Sequence, residues 1–243
     1  MDIESVQNAT VKALVRLKTK KERDQTGLFL VEGAHLIEEA KAAGILQKVY
    51  QSVDLPPVEG VPTITCSQAV LNKISSLQSD ASQIGLCKKE EKPLPENGRR
   101  FLILERVQDP GNVGTLIRSA YSFGMDGVIC SPDCADPYSP KTIQSAKGAL
   151  FHIPLITADL PGRIESLKSR NIPVYGAALH QNSIELHDLH ISDRAAVVIG
   201  NEGHGLSQTV LDACSQLVHI EMKNFESLNA AVAGSILMYI FQF

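Results

Sequence analysis

Three turns carry the residues of this sequence that could do chemistry. The first is DPGNVGTLIRSAYSFG (Asp109 to Gly124), the second is VVIGNEGHGLS (Val197 to Ser207), and the third is HIEMKNFESLNAA, which precedes an apolar C-terminal stretch. Each follows a segment that reads as a strand, and open α/β sheets bind ligands where their strands end. The three turns therefore predict one ligand site.

Arg118 is the candidate of the first turn. The helix there should bury a stripe at helical spacing, formed by Val113, Leu116, Ile117, Ala120 and Phe123. At about 100° per residue, Arg118 projects from nearly the opposite side and is left for a ligand or for solvent. Gly111 and Gly114 resemble a fragment of a dinucleotide loop, but the full G-x-G-x-x-G is absent.

Glu202 is the candidate of the second turn, because a carboxylate between glycines at a strand end is less often structural than one on a helix. The glycines let the backbone approach a ligand. His204 reads as a tolerated loop residue. Ser227 and Asn229 stand where the last helix begins, so helix capping is their alternative role.

Taken in order, three blocks resemble the motifs of the SpoU (TrmH-like) family of RNA ribose methyltransferases. They are N-x-G-x-x-x-R with A-x-x-F-G (Asn112 to Gly124), G-N-E-G-x-G-L-S (Gly200 to Ser207), and I-x-M followed by E-S-L-N-x-x-V-A (Ile220 to Ala233). The first half, with FLVEGAHLIEEA, looks like the family's RNA substrate-binding domain.

The resemblance implies methyl transfer from S-adenosylmethionine to a ribose 2′-hydroxyl of structured RNA. It implies an α/β fold whose mostly parallel C-terminal sheet contains a deep trefoil knot, and a homodimer with the last helix in its interface. The implied catalytic residues are Asn112, Arg118, Glu202, Ser227 and Asn229. The implied cofactor-binding residues are Gly200, Asn201, Glu202, Gly205, Ile220, Met222 and Leu228.

The role of Arg118 stays open between two mechanisms. A ribose hydroxyl is a poor nucleophile, so its proton must be taken as the methyl is attacked in line. The family's proposed base is the arginine of the first motif, but a guanidinium is almost always protonated. We favour a clamp on the neighbouring RNA phosphate, which would polarise Arg118.

The sequence departs from the family pattern near the expected cofactor rim and at one expected RNA contact. Glu221 stands where the family usually has proline, and Asn224 replaces a glycine. Upstream, R-x-S-x-G becomes Gln144, Ala146 and Gly148. These changes bear on affinity and activity rather than on the fold.

Segments predicted as strands alternate with segments predicted as helices along the chain. This alternation indicates a mostly parallel α/β sheet, which must position these residues. We expect a substrate-binding domain over 1–92, a linker over 93–100 and the methyltransferase domain over 101–243. The expected strands include 28–32, FLILERV, GVIC, FHIPL, PVYGAAL, AAVVIG and QLVHIE. The expected helices cover 5–18, followed by a basic turn, and 35–43, 113–123, 140–147, 161–169, 206–213 and 227–243.

Charge is distributed unevenly along the chain. The net charge is −4, which argues against indiscriminate adhesion to nucleic acid. Residues 1–100 carry 14 basic and 13 acidic side chains, and the remainder carry 9 and 14, which gives +1 and −5. The densest basic stretch predicts RNA contacts at Lys18, Lys20, Lys21 and Arg23, with a solvated helix face as the alternative.

Composition sets further limits. The chain has no apolar run of membrane-spanning length and no secretory signal, so we expect a cytoplasmic protein without membrane contact. Its five cysteines are scattered without C-x-x-C or metal spacing, which predicts free buried thiols and no metal.

Two readings compete with the enzyme. One is an RNA-binding relative that kept the fold and lost catalysis, and the other is a nucleotide-dependent oxidoreductase, which would need the absent dinucleotide fingerprint. A base-methylating knotted relative would carry different motifs. The sequence leaves the RNA and the nucleotide open, and the two-domain layout favours large-subunit ribosomal RNA over transfer RNA.

Overall fold

The computed structural model describes residues 2–77, 80–180, 182–189, 192–224 and 227–242. The chain divides into one unit of Met1–Glu90 with Asp136–Phe151 and a second of Glu91–Ala135 with His152–Phe243. Residues 136–151, which follow the predicted linker in sequence, thus pack with the N-terminal residues.

A four-stranded sheet forms the centre of the first unit, in the order β1-β4-β2-β3. Its strands are β1 (Leu28–Glu32), β2 (Leu46–Gln51), β3 (Thr63–Thr65) and β4 (Gln83–Lys88). Its helices are α1 (Ala9–Arg16), α2 (Lys20–Thr26), α3 (Ala34–Ala42), α4 (Gln68–Ile74) and α6 (Pro140–Ala146). Strand β4 is antiparallel to both β1 and β2, whereas β2 is parallel to β3, so the sheet is mixed.

The stretch that was predicted to be a basic turn is helix α2. Its N-cap is Thr19, whose hydroxyl accepts the Glu22 backbone N–H, and it ends at Gly27 with a left-handed φ of 65°. Thr19 and Glu22 have the S/T-x-x-E spacing of a capping box, a signal that could have corrected the prediction.

A seven-stranded sheet forms the centre of the second unit, in the order β7-β6-β5-β10-β8-β11-β9. All six of its strand pairings are parallel among the residues described, as predicted. Its strands are β5 (Arg100–Leu104), β6 (Gly127–Cys130), β7 (Leu155–Thr157), β8 (Val174–Ala177), β9 (Ile184–Glu185), β10 (Ala195–Ile199) and β11 (Gln216–His219). Its helices are α5 (Pro110–Ser122), α7 (Leu160–Ser169), α8 (Gln208–Ala213) and α9 (Ala230–Phe241).

The predicted strand FHIPL is wrong. Residues Ala149–Phe151 form a short 3-10 helix, and β7 begins only at Leu155. Pro154 explains the later start of β7, because proline has no backbone N–H to donate to a neighbouring strand. Its carbonyl accepts a hydrogen bond from the Val128 N–H. Such a proline is tolerated because β7 is an edge strand.

The last helix begins later than predicted. Asn229 caps it, its side-chain oxygen accepting the N–H groups of Ala231 and Val232, so Ser227 and Leu228 precede the helix. The predicted end at Phe243 and the motif residue Glu226 lie outside the described residues.

The five cysteines are free, as predicted, with Cys66, Cys87 and Cys130 buried and the other two half-buried. In the part of the chain that the structure describes, every helix is too short or too polar to cross a bilayer.

Candidate active site

The three predicted turns meet at one edge of the second unit's sheet. The turn before α5 follows β5, the glycine-rich turn follows β10, and the third follows β11. Because β5, β10, β8 and β11 are consecutive and parallel in the sheet, their carboxyl ends lie side by side. This is the edge at which open α/β sheets bind ligands.

One hydrogen-bonded chain links three of the predicted catalytic side chains. The Asn112 side-chain amide donates to Glu202 Oε1 at 2.9 Å. The Asn229 side-chain amide donates to Asn112 Oδ1 at 3.0 Å. Asn112 lies in the first turn of α5 and Asn229 is the N-cap of α9, so the N-termini of the two helices are joined through these side chains.

The Glu202 carboxylate lies against the N-terminus of α5. It accepts the backbone N–H groups of Gln108 at 3.1 Å and Asp109 at 3.2 Å, besides the Asn112 amide. Partial burial alone would raise the pKa of Glu202, but the hydrogen bonds from Asn112 and these backbone groups outweigh it and lower the pKa. A helix N-terminus also favours the anion. Glu202 is therefore a fixed negative charge at neutral pH.

The glycine-rich turn closes on itself. Asn201 and Gly205 exchange backbone hydrogen bonds of 3.1 and 2.9 Å, and Gly205 has a left-handed φ of 64°. A Cβ on Gly200 would lie 2.5 Å from the Gly205 carbonyl carbon, so only glycine fits there. The Asn201 side chain fixes the turn further, donating to the Arg106 carbonyl at 2.8 Å.

A cavity of about 340 Å³ opens beside this turn. All of the predicted cofactor-binding residues line it, namely Gly200, Asn201, Glu202, Gly205, Ile220, Met222 and Leu228. The rest of its wall is mainly apolar, formed by residues that include Ala177, Leu179, Ile199, Val218, Ala230, Ala233 and Leu237. Ligand pockets of roughly 300–1,000 Å³ with mostly apolar walls and a few polar groups are typical of small-molecule sites.

Sequence reasoning missed the wall formed by Ala177, Ala178 and Leu179. These residues end or follow β8, which lies between β10 and β11. The predicted strand PVYGAAL was a signal for this wall, because its carboxyl end must lie beside those of the other strands once the order of strands in the sheet is known. The order itself could not be read from the residues.

The remaining two catalytic candidates are placed differently. Ser227 lines the cavity and is exposed. Arg118 is exposed on α5, and within the described residues its side chain has no hydrogen bond or ion pair. Six residues of helix separate Asn112 from Arg118, which is about 9 Å along the axis and about 120° around it. Arg118 therefore does not join the chain of Glu202, Asn112 and Asn229.

Of the four residues predicted to contact RNA, two have side chains that already bond to other groups of the first unit. Arg23 is buried, donates to the carbonyls of Leu17 and Lys18, and pairs with Asp136 at 2.5 Å. Because the guanidinium is buried and two of its nitrogens already donate to oxygens of the protein, its assignment as an RNA contact is corrected to a structural role.

Lys18 is also engaged, since its ammonium donates to the carbonyls of Lys73 and Ser75. Its partial burial lowers its pKa. Lys20 and Lys21 remain exposed on α2.

A candidate cation-binding group includes Glu221, which stands between the cavity-lining residues Ile220 and Met222. Ligand atoms of Glu185, His187 and Glu221 all fall within 4.8 Å of one another, and the three residues are exposed. The sequence had predicted no metal, and exposed carboxylates of this kind are common without one.

The chain is similar to known proteins over nearly its whole length. Residues 99–239 match the SpoU rRNA Methylase family, and residues 8–84 match the MRM3-like substrate binding domain. The 23S rRNA (guanosine(2553)-2′-O)-methyltransferase RlmP of Bacillus subtilis (strain 168) is 36% identical over 243 residues, which cover 98% of this chain and 97% of the relative.

Solved structures agree. A crystal structure of an RNA 2′-O ribose methyltransferase superposes with a TM-score of 0.85 at 29% identity, covering 99% of this chain and 98% of the other. An AdoMet-bound rRNA methyltransferase from Sinorhizobium meliloti superposes with a TM-score of 0.87 at 26% identity, covering 99% and 97%. Since the family match spans more than half of the sequence and the three motif blocks are joined through Asn112, Glu202 and Asn229, this chain belongs to the SpoU rRNA methylase family.

Proposed function

We propose that this protein transfers a methyl group from S-adenosylmethionine to a ribose 2′-hydroxyl of ribosomal RNA. The observation that carries the proposal is the chain of Glu202, Asn112 and Asn229, which ends at a cavity lined by all the residues expected to hold the cofactor. A similar protein is named for 2′-O-methylation of 23S rRNA, and a similar structure holds AdoMet.

The cavity fits S-adenosylmethionine by its chemistry. Apolar side chains of Ile220, Met222 and Leu228 suit a purine ring, and the backbone around Gly200 approaches closely because no side chain intervenes. Glu202 adds a negative charge at the rim, which suits a ligand that carries a positive sulfonium. When bound, the cofactor would supply an electrophilic methyl group.

The protein's own groups would orient the hydroxyl rather than react with it. In this proposal Asn112 and Asn229 hold the substrate ribose near the cavity mouth, and Glu202 holds Asn112 in position. Such fixed placement converts the transfer into an effectively unimolecular step. Ser227, exposed at the cavity, would contact the ribose or the cofactor.

Arg118 would clamp the phosphate beside the target ribose. Its guanidinium is exposed and unpaired within the described part of the chain, so two of its N–H groups can donate to one phosphate. Its distance along α5 from Asn112 suits contact with a different group of the same nucleotide. A phosphate beside Arg118 would also polarise the guanidinium, and the 2′-hydroxyl proton would pass to solvent as the hydroxyl oxygen takes the methyl group from the sulfonium.

The first unit would hold the RNA. Lys20 and Lys21, with Lys12 and Arg16, are exposed on α1 and α2 and supply the phosphate contacts of this proposal. We retain the functional division into a substrate-binding domain over 1–92, a linker over 93–100 and a catalytic domain over 101–243. A ribosomal substrate implies that the protein works in the cytoplasm.

We further propose a homodimer and, from family membership, the trefoil knot. The outer face of α9 is apolar and exposed, with Val232 at 48%, Tyr239 at 51% and Ile240 at 38% exposure, and Tyr121 of α5 is 49% exposed. Helices α5 and α9 pack on each other. An apolar face of this kind on a soluble protein is typical of an interface.

Two measurements test the function. Calorimetry with S-adenosylmethionine or its demethylated product should detect binding, and mapping of ribose methylation in total RNA from a deletion strain should show one missing 23S rRNA site. RNA binding without cofactor binding at millimolar ligand would favour a relative that has lost catalysis. Sedimentation at several concentrations tests the dimer.

A further inference from the structure

Arg106 lies at the edge of the second unit's sheet where the motif turns meet, yet the proposed reaction gives it no part. It follows strand β5 by two residues and precedes helix α5. Its φ is 53°, in the left-handed region that residues other than glycine rarely adopt. A backbone strained in this way persists only where its surroundings hold it, and such residues cluster at functional sites.

Hydrogen bonds hold this backbone on both sides. The Arg106 N–H donates to Ser131 Oγ at 2.9 Å, and the Asn201 side-chain amide donates to the Arg106 carbonyl at 2.8 Å. Two residues further along the chain, the Gln108 N–H donates to the Glu202 carboxylate at 3.1 Å. Arg106 is therefore fixed beside the turn that carries Glu202.

The side chain of Arg106 is held in place but lacks hydrogen-bond partners. Its Nε lies 3.6 Å from Glu105 Oε1 and is buried without an acceptor. Among the residues described, the guanidinium makes no hydrogen bond, and 36% of the side chain is exposed. Buried polar groups without partners are rare in native proteins, so this one calls for an explanation. A partly exposed guanidinium that Glu105 orients is placed to bind an anion.

The position of Arg106 narrows the choice of anion. The residues that line the cavity do not include Arg106, so its ligand lies outside the space assigned to the cofactor. The planar fork of a guanidinium matches a phosphate, to which it can donate two parallel hydrogen bonds. The anion that the proposed reaction brings to this edge from outside the cavity is the phosphate backbone of RNA.

We propose that Arg106 binds a phosphate of the RNA strand whose ribose is methylated. The inference rests on the proposed function for the identity of that RNA. Helix α5 carries Arg118 about 12 Å along its axis from its first residue, Pro110, so we assign the two arginines to different phosphates. Arg106 is then a substrate-binding residue, and Glu105 is a positioning residue that acts through it.

The test is filter binding of an unmodified 23S rRNA transcript over a range of salt concentrations. Arg106→Gln should weaken binding about tenfold at low salt. It should also reduce the slope of log affinity against log salt by about 0.7–0.9, the value for one phosphate contact. Arg106→Lys should keep the slope, because it keeps the charge, and recover part of the affinity. Arg99→Gln is the matched control, because Arg99 is exposed at the opposite, amino end of β5, and it should change neither quantity.

A double variant separates RNA binding from the pairing with Glu105. In Glu105→Gln with Arg106→Gln no buried carboxylate loses its partner, so calorimetry should show wild-type affinity for S-adenosylhomocysteine. RNA affinity and the salt slope should remain as low as in Arg106→Gln.

Two results would overturn the phosphate contact. One is a wild-type salt slope in Arg106→Gln or in the double variant. The other is loss of cofactor binding and RNA binding together in both variants, which would make Arg106 a structural residue. If the wild type binds RNA with a salt slope that depends on Arg106 but binds no cofactor, the proposed function fails and the phosphate contact stands.

Discussion

Asn112 Nδ2 lies 2.9 Å from Glu202 Oε1, although 90 residues separate the two in the chain. The contact ties the glycine-rich turn after β10 to the first turn of α5. Since Asn112 also accepts a bond from Asn229, one side chain sets the relative position of all three motif blocks. The pKa of Glu202 is lowered further below neutral pH, which keeps the contact in its stronger, charged form.

Replacement of Asn112 should therefore damage catalysis more than folding. In Asn112→Asp a second carboxylate would stand where the amide donates to Glu202, and the repulsion should displace the turn. We expect methyl transfer to fall by about 10², which is the cost of misplacing reacting groups by about 1 Å. Single-turnover transfer to unmodified RNA measures this.

Thr115→Ala is the control for Asn112, because Thr115 is exposed on the same helix. It should transfer at the wild-type rate. If Asn112→Asp does so too, the hydrogen-bonded chain has no part in the reaction.

The catalytic candidates could be predicted from the sequence better than the residues that line the cavity. Glu202 stood out because it is a carboxylate between glycines, and the resemblance to the SpoU family implied roles for Asn112 and Asn229. Their mutual contacts depend on the order of the strands, which brings β5, β10 and β11 to one edge and inserts β8 among them. That order is set by packing across the whole sheet, and no local pattern encodes it.

In the basic stretch, the sequence shows which residues are charged but not which of them are buried. Lys20 and Arg23 have the same sign and stand three residues apart, yet one is exposed and the other is buried against Asp136. The residue that pairs with Arg23 lies 113 positions away. A buried cation is identified only when its distant partner is known.

Gly200 and Gly203 form a matched pair for testing the cofactor cavity. In Gly200→Ala the new Cβ would lie 2.5 Å from backbone of Gly205, which cannot yield without opening the turn. We expect cofactor affinity to fall by tenfold or more and the free energy of unfolding to fall by about 1–3 kcal/mol, as for overpacking. Calorimetry and denaturant unfolding give the two quantities.

Gly203→Ala should change little. Its nearest neighbour would be Asn201 Oδ1 at 3.7 Å, an ordinary contact, and its backbone needs no left-handed φ. Wild-type cofactor affinity in Gly200→Ala would show that the close approach at Gly200 has no bearing on the cavity.

Charge reversal on α2 tests the RNA surface. Lys20→Glu with Lys21→Glu should weaken RNA binding and flatten its dependence on salt, because fewer counterions are released when phosphates are contacted. Cofactor affinity should not change. An unchanged salt slope in filter binding would mean that these lysines form only a solvated face.

Arg23→Met should affect stability instead. The substitution removes the cation that pairs with the nearly buried Asp136 side chain, and removal of one member of a buried pair costs about 3–5 kcal/mol. Denaturant unfolding measures the loss. The double variant Arg23→Met with Asp136→Asn should recover part of it, and failure to recover any would show that the two side chains are not energetically coupled.

Variants of Arg118 distinguish the proposed role in methyl transfer from a purely structural one. It is exposed on α5, away from the buried stripe, so Arg118→Ala should alter the free energy of unfolding by no more than about 0.5 kcal/mol. If Arg118 clamps the phosphate and assists loss of the proton, methyl transfer should still fall by about 10² or more. Arg118→Lys should recover little, because an ammonium cannot offer the planar fork. Single-turnover transfer to RNA from a deletion strain, beside thermal melting of the same proteins, decides the matter: an Arg118→Ala protein that melts normally and methylates at the wild-type rate would exclude Arg118 from the mechanism.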